Sequence, residues 1–411
     1  MRRVLLCTEA WPPAWSGGVQ RPLKFAVHLR PLGYETTVLA PEIAPGQTLD
    51  PSLLEQAQDI PCHRVPVQWS WADRLPGTAR RLVERWMGPA LPDGLIRSLD
   101  AFADRARALH RSTPFDVVLT TSPPHSLALL GMRVKDALGL PWVADFRDEW
   151  SRNRLRRSRM TERQAGRDRQ MERDAFRAAD RILTTTGTMR DFVIASGVDP
   201  ARVIALPNGF DEADLPPDVP HRYGERIVIT YLGSLSSYRN LDPIFDAARR
   251  LRESNGTFPF EFRFITQASR ALRHVRGYED LVTEGIVRIE DHMAHRAALS
   301  EAKRADALLY VLSGATAENE PVAGKLFEYL ALKRPILFVT SVRGENARIL
   351  AEAGTGITVD MNDGPGIEKA LRDLWRRWND RALEVKPEGL ERYSRRQLTL
   401  RLAKELEAVL S

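Results

Sequence analysis

Short apolar, β-branched runs alternate along this chain with stretches in which apolar residues return every three or four positions. Residues 4–8 read as a strand, W-P-P-A-W-S-G-G as a loop, 19–32 as a helix stopped near Gly33, and 36–39 as the next strand. Further strands are predicted at 117–120, 141–145, 181–184 and 203–206. A proline-rich stretch at 207–225 interrupts the pattern and reads as an exposed linker. A second series then begins, with strands at 227–233, 260–266, 287–290, 305–312, 336–339 and 356–359 and an amphipathic helix at 242–253. Strands that alternate with helices build parallel sheets covered on both faces. The expected fold is therefore α/β, with two doubly wound Rossmann-like domains at 1–206 and 226–391. The apolar-periodic helix 398–410, within a closing segment at 392–411, is expected to pack back on the first domain.

Composition narrows the class. A chain of 411 residues that is 43% hydrophobic and 28% charged can bury two sizeable cores. Cys7 and Cys62 are its only cysteines, and they form no C-x-x-C or Cys/His cluster, so neither a disulfide framework nor structural zinc is indicated. The V-L-L-C-T run meets Glu9 and prolines at once, too soon for the apolar core of a leader peptide, and no run approaches the ~18 apolar residues of a membrane span. A cytoplasmic location is expected. The net charge of +6 asks for an anionic partner, which on charge alone is a nucleotide diphosphate, acidic lipid or nucleic acid. No nucleic-acid-binding motif accompanies the charge, which disfavours the last.

The densest candidate chemistry lies at 320–328, E-P-V-A-G-K-L-F-E, where two carboxylates flank a Gly-Lys before an apolar helical face. Backbone N–H groups around Gly324 and Leu326, the positive end of a helix and the Lys325 ammonium suit a phosphate, and Glu320 and Glu328 suit sugar or ribose hydroxyls. Phosphate plus polyol describes a nucleotide sugar, set against the plainer reading of a solvated surface helix. Gly17 and Gly18, after the first strand, allow backbone to approach a phosphate. Neither a G-x-G-x-x-G fingerprint nor a complete P-loop is present, which argues against NAD chemistry and ATP hydrolysis.

Six motifs in order then carry a resemblance: S-G-G, S-P-P-H-S at 122–126, D-F-R-D-E-W at 145–150, P-N-G-F-D at 207–211, Y-L-G-S-L at 231–235 and E-P-V-A-G-K-L-F-E-Y-L-A. Together they resemble family 4 glycosyltransferases, retaining enzymes of the GT-B fold whose two Rossmann-like domains face a cleft. The resemblance implies that Glu328 binds the ribose hydroxyls and that Glu320 lies near the donor sugar. Gly17, Gly18, Gly233, Gly324, Lys325 and Leu326 would surround the diphosphate. The family often has Arg after the strand-end glycine and Lys about five residues on; here Ser234 and Arg239 stand there, so Arg239 is expected to supply charge with Lys325 as substitute. The implied mechanism is front-face displacement with no metal and no cofactor beyond the UDP- or GDP-type co-substrate. Asp145 and Arg147 would belong to the acceptor side, with the Asp145/Asp148 spacing also open to a metal-clamp reading.

Three features remain. His125 and Asp148 are candidate acceptor-side acid–base groups, each with a structural alternative as a helix-start residue or an ion-pair partner. Seven of the nine tryptophans lie in the first 150 residues; Trp11 and Trp15 frame the glycine loop and would shape an acceptor site, while Trp69, Trp71 and Trp86 sit in an Arg- and Pro-rich segment suited to an anionic membrane's inner face. An arginine run after 150 suits a phosphorylated acceptor or is simply a solvated helix. The expected activity is sugar transfer from a UDP- or GDP-sugar to a glycan, lipid-linked or small-molecule acceptor. A non-catalytic nucleotide- or glycan-binding protein and a nucleotide-sugar synthase or epimerase are the alternatives.

Overall fold

In the computed structural model, the described residues are 1–68, 79, 90–218, 220–235, 240–255, 259–266, 269–291, 293–312, 322–340 and 342–411. Glu320 and Arg239, and Trp69, Trp71 and Trp86, lie outside them.

The chain divides into two compact units, one of Met1–Pro207 with Arg395–Ser411 and one of Asn208–Ser394. Unit 1 holds β1 (Arg2–Cys7), β2 (Tyr34–Pro41), β3 (Cys62–Val65), β4 (Val117–Ser122), β5 (Trp142–Phe146), β6 (Arg181–Thr184) and β7 (Val203–Ala205). They pair all-parallel in the order β3-β2-β1-β4-β5-β6-β7. The longer described helices between them are α1 (Gln20–Leu29), α2 (Leu99–Ser112), α3 (Ser126–Leu138), α4 (Glu162–Ala178) and α5 (Gly187–Ala195).

Unit 2 repeats the plan. It holds β8 (Ile227–Leu232), β9 (Phe260–Ile265), β10 (Val287–Glu290), β11 (Ala307–Val311), β12 (Ile336–Thr340) and β13 (Gly356–Asp360), ordered β10-β9-β8-β11-β12-β13, again parallel. Its helices include α6 (Asp242–Asn255), α7 (His295–Arg304), α8 (Gly324–Ala331), α9 (Glu345–Ala353) and α10 (Gly364–Asn379), and the chain closes with α11 (Arg395–Leu410).

Strands β4, β5, β11 and β12 are buried at every position, because helices cover both faces of a parallel sheet and leave no side for polar residues. Each sheet therefore carries two apolar layers. In unit 1, one forms around Phe102, Leu127, Trp142 and Phe176 and the other around Leu6, Leu23, Leu398 and Leu402. The second layer seats α11 against α1, and the Tyr34 hydroxyl adds contacts to the Ala403 carbonyl and the Glu407 carboxylate at 3.3 Å.

In each sheet the strand order reverses beside its first strand, between β1 and β4 and between β8 and β11. Ligands of open parallel sheets collect at the carboxyl ends of strands flanking such a reversal. The candidate residues fall on these loops.

Candidate functional site

In unit 1 the loops after β1, β4 and β5 are stitched together by one guanidinium. Arg147, buried just past β5, donates from Nη1 to the Gly18 carbonyl at 2.8 Å, from Nη2 to the Pro123 carbonyl at 2.6 Å and from Nε to the Ser122 carbonyl at 3.3 Å. Its own carbonyl accepts from the Thr185 hydroxyl at 2.7 Å. Gly18 is required here by space: a Cβ would stand 2.1 Å from Arg147 Nη1, whereas one on Gly17 would meet nothing within 4 Å. The two glycines are thus unlike. Gly18 is the packing partner of a buried arginine, and Gly17 is exposed.

Asp145 has a different occupation from the acceptor contact expected of it. At the end of β5 and 1% exposed, it accepts from Arg21 Nε and Nη2, both at 2.8 Å, and from the Thr121 hydroxyl at 2.8 Å. Arg21 also donates to the Leu206 and Pro207 carbonyls at 2.9 and 2.8 Å. This forked pair fastens α1 to the ends of β5 and β7. An isolated charge of either sign would be expensive at this depth, so the pair holds because every oxygen and most N–H groups are matched.

His125 starts α3 and is also displaced from its expected role. It is buried, stacks on Trp150 with ring centroids 4.8 Å apart and planes 5° from parallel, and its Nδ1 has no hydrogen-bond partner among the described residues. Burial first, and then the positive charges of Arg156 and Arg147, lower its pKa to about 3. A group this weakly basic is neutral at pH 7 and does not serve as a proton acceptor there; it offers a neutral imidazole. Trp150 is fixed in turn by its Nε1–H, which donates to Asp168 at 2.9 Å.

Two carboxylates near Arg147 have raised pKa values. Asp148 is half-buried, and desolvation raises its pKa, with Arg147 opposing and Asp145 adding to the rise. Glu9, in the loop after β1, is exposed at the surface, and its pKa is also raised, by desolvation first, with Arg147 opposing and Asp93 and Asp148 adding to the rise. Asp93 caps α3 by accepting from the Ser126 N–H at 3.0 Å and hydroxyl at 2.6 Å. Sequence reading passed over Glu9, Asp93 and Arg21. Glu9 follows a strand directly and Arg21 sits three residues past Gly18, signals that position alone supplied; Asp93 had none. Trp11 lies in the apolar core at 2% exposure, so its ring is not available to stack on an acceptor, whereas Trp15 is half-buried at the core's margin.

In unit 2 the described candidates converge on the end of β8. Lys325, in the first turn of α8, donates to the Tyr231 hydroxyl at 3.0 Å and the Leu232 carbonyl at 3.3 Å, and its ammonium lies 4.1 Å from the Tyr231 ring centroid and 5.4 Å from that of Tyr310. The Tyr231 hydroxyl in turn donates to the Ser234 carbonyl at 2.8 Å. Between them Gly233 adopts φ +97°, open to glycine and strained for other residues. The Tyr329 hydroxyl accepts from the Leu232 N–H at 2.8 Å, tying α8 to the same strand end.

Glu328 lies one turn along α8 from Lys325 and Gly324, with Oε1 2.8 Å from Nε2 of His295, the first residue of α7. This contact holds the carboxylate at a set orientation while leaving the residue half-buried. Leu326 is wholly buried and anchors the helix start. Tyr231 opens the Y-L-G-S-L motif, whose tyrosine carries no role in the sequence reading, and no motif marks His295, which starts a helix outside the E-x7-E stretch. Among the described residues no three His, Cys, Asp or Glu side chains are grouped as metal ligands. No helix among them is long and apolar enough to cross a membrane.

Residues 16–209 match the family model described as the glycosyl transferase 4-like domain. No curated protein matches this chain in sequence. Among solved structures, a sucrose-phosphate synthase from Thermosynechococcus elongatus superposes with TM-score 0.69 at 13% identity, covering 100% of this chain and 99% of its own. Anabaena Alr3699/HepE, in complex with UDP and glucose, gives TM-score 0.67 at 12% identity over 99% of this chain and 100% of its own. A putative UDP-N-acetylglucosamine 2-epimerase from Listeria monocytogenes gives 0.60 at 14% identity over 99% and 96%.

Proposed function

Starting from a chain that carries a glycosyl transferase 4-like domain at 16–209 and a GT-B fold, we propose that it is a retaining, metal-independent glycosyltransferase that uses a nucleotide diphosphate sugar. The observation that supports this most is the pairing in unit 2 of a fixed cation with an oriented carboxylate one helical turn apart. Lys325 would face the diphosphate, whose negative charge grows as the glycosidic bond breaks and needs a cation already in place. Glu328, turned by His295, would accept hydrogen bonds from the ribose hydroxyls. The neighbour solved with UDP and glucose makes a UDP-sugar the first donor to try, with GDP-sugars beside it.

On the acceptor side, Asp148 and Glu9 have the raised carboxyl pKa values that suit a hydroxyl's proton, and Arg147 positions the loops that present them. His125 contributes a neutral ring. Glu320 and Arg239 would stand near the donor sugar and the diphosphate, as the family resemblance implies. The acceptor class is a glycan, a lipid-linked sugar or a small molecule.

The epimerase reading rests on a neighbour of similar fold. Turnover separates the two. With a UDP- or GDP-sugar, a transferase releases nucleoside diphosphate faster when its acceptor is present, with the product anomer matching the donor's. Interconversion of the donor sugar without acceptor would establish the epimerase instead, and an inverted anomer would refute retention.

A further inference from the structure

The expectation of membrane contact fell on Trp69, Trp71 and Trp86, outside the described residues, but a separate face among the described residues bears on the same question. Residues 152–169, between β5 and β6, contain eight arginines, no lysine and two acids. Their net charge of +6 equals that of the whole chain, so the remaining sequence is electrically balanced. This one segment thus carries as much net charge as the whole chain.

Both acids in the segment are consumed internally. Asp168 turns inward to Trp150 Nε1 and to Arg156 Nη2, the latter at 2.6 Å. Glu162 accepts from Arg157 Nη2 with both oxygens, at 2.7 and 3.0 Å. Helix α4, capped by the reciprocal Thr161 and Gln164 contacts, buries Ala165, Asp168, Glu172, Ala175 and Phe176. At 100° per residue, Arg163 and Arg167 stand on the opposite side, four residues apart. Arg154 and Arg159 precede the helix. All four are exposed, and none pairs with a described residue through its side chain.

Two other exposed helices, α9 and α10, are built differently. On α10, Arg372 pairs with Glu368 at 2.5 Å and Arg376 with Asp373 at 3.0 Å; on α9, Arg348 pairs with Glu345 at 2.6 Å and with Glu352. Ordinary solvation here takes the form of arginine and acid alternating along a face. The α4 face instead sets like charges at i,i+4, which disfavours the isolated helix. An external anion reverses that sign.

We propose that Arg154, Arg159, Arg163 and Arg167 dock unit 1 on an anionic phospholipid surface. The choice of headgroups over a single bound phosphate follows from shape: the four side chains lie along an exposed stretch of chain and a helix's outer face and are not gathered around a pocket. Guanidinium forks match phosphate oxygens two at a time, which an all-arginine face exploits better than lysines would. Each basic residue at such a surface strengthens partitioning by roughly five-fold, so four give on the order of several hundred-fold. The segment leaves the carboxyl end of β5, the edge that also carries Gly18, His125 and Arg147, so docking brings headgroups beside the acceptor loops of unit 1. This holds whichever donor unit 2 takes.

The test is co-sedimentation of the full chain with phosphatidylcholine vesicles with and without phosphatidylglycerol. Wild type is expected to bind only the anionic vesicles, more weakly as salt rises. The variant Arg154→Gln, Arg159→Gln, Arg163→Gln, Arg167→Gln should lose at least ten-fold in partitioning while keeping its thermal melt. A control removing four paired arginines, Arg348→Gln, Arg372→Gln, Arg376→Gln and Arg392→Gln, has the same net charge and should bind as wild type. Equal loss in both variants would reduce the effect to net charge and overturn the assignment. So would displacement of wild type by inorganic diphosphate at low millimolar concentration, which would indicate a single phosphate site, or an absence of binding to anionic vesicles.

Discussion

The two units share a sheet plan and differ in how they hold charge at the sheet's carboxyl edge. In unit 1 the edge is locked: Arg21 and Asp145 form a pair with almost no exposure on either side, and Arg147 is spent on three backbone carbonyls. In unit 2 the corresponding groups are half-buried, with Lys325 resting on tyrosine faces and Glu328 leaning on a histidine. The first arrangement satisfies its charges internally and so fixes loop shape. The second holds its charges in position without burying them, which is what a site that must meet a changing ligand charge requires. The placement of partners thus separates the charges that unit 1 spends internally from those that the proposed donor site would offer a ligand.

The largest test of that distinction is to remove one half of the locked pair. Asp145→Ala leaves Arg21 buried without its partner, and the expected cost is about 3–5 kcal/mol, roughly a 10 °C fall in the melting of unit 1. Calorimetry should show it with no direct effect on nucleotide affinity. A variant that melts normally would mean Asp145 is a ligand-facing group after all. Next comes the glycine pair. Gly18→Ala must push Arg147 off its carbonyls, an expected loss of about 1–3 kcal/mol by overpacking, while Gly17→Ala enters open space and should melt as wild type. Equal behaviour of the two would dissolve the contrast between them.

On the unit 2 side, Lys325→Met should weaken binding of a nucleoside diphosphate about ten-fold or more and leave the parent nucleoside unaffected, since a charged hydrogen bond to phosphate contributes about 1.5–3 kcal/mol. Equilibrium titration of both ligands checks it. The effect that is smallest near neutral pH is a pH slope. His125 has a folded pKa near 3 against an ordinary 6.5, so between those values the unfolded chain binds a proton that the folded chain does not. Stability should therefore fall as pH drops through that window, by up to about 1.4 kcal/mol per unit, and His125→Phe should flatten this part of the profile. An unchanged profile in the variant would mean that the ring is accessible and titrates normally.

Much of the architecture was legible because parallel strands buried on both faces write themselves as unbroken apolar runs; 181–184 and 287–290 match β6 and β10, and the other predicted strands differ from those observed by one or two residues at one or both ends. Strand β3 escaped notice because C-H-R-V is half-buried at a sheet edge and carries no such run. The site was legible as positions more than as roles. Loops after strands drew attention to Asp145, Arg147, His125 and Lys325, but sequence does not say which way a carboxylate turns. Asp145 reads like a site acid and is bound by Arg21, a residue 124 positions away. His125 reads like a base and is silenced by burial against Trp150. His295 had no motif because its partner Glu328 is 33 residues distant. Pairings at that range come from topology, which periodicity resolves only as an order of elements.

The measurement closest to the central claim is calorimetric titration of UDP, GDP, ADP and NAD into wild type and Glu328→Gln. Selective binding of one nucleoside diphosphate, weakened at least ten-fold in the variant, is the predicted result. Binding of none of these nucleotides, or binding that Glu328→Gln leaves unchanged, would contradict the assignment of unit 2 as the donor site.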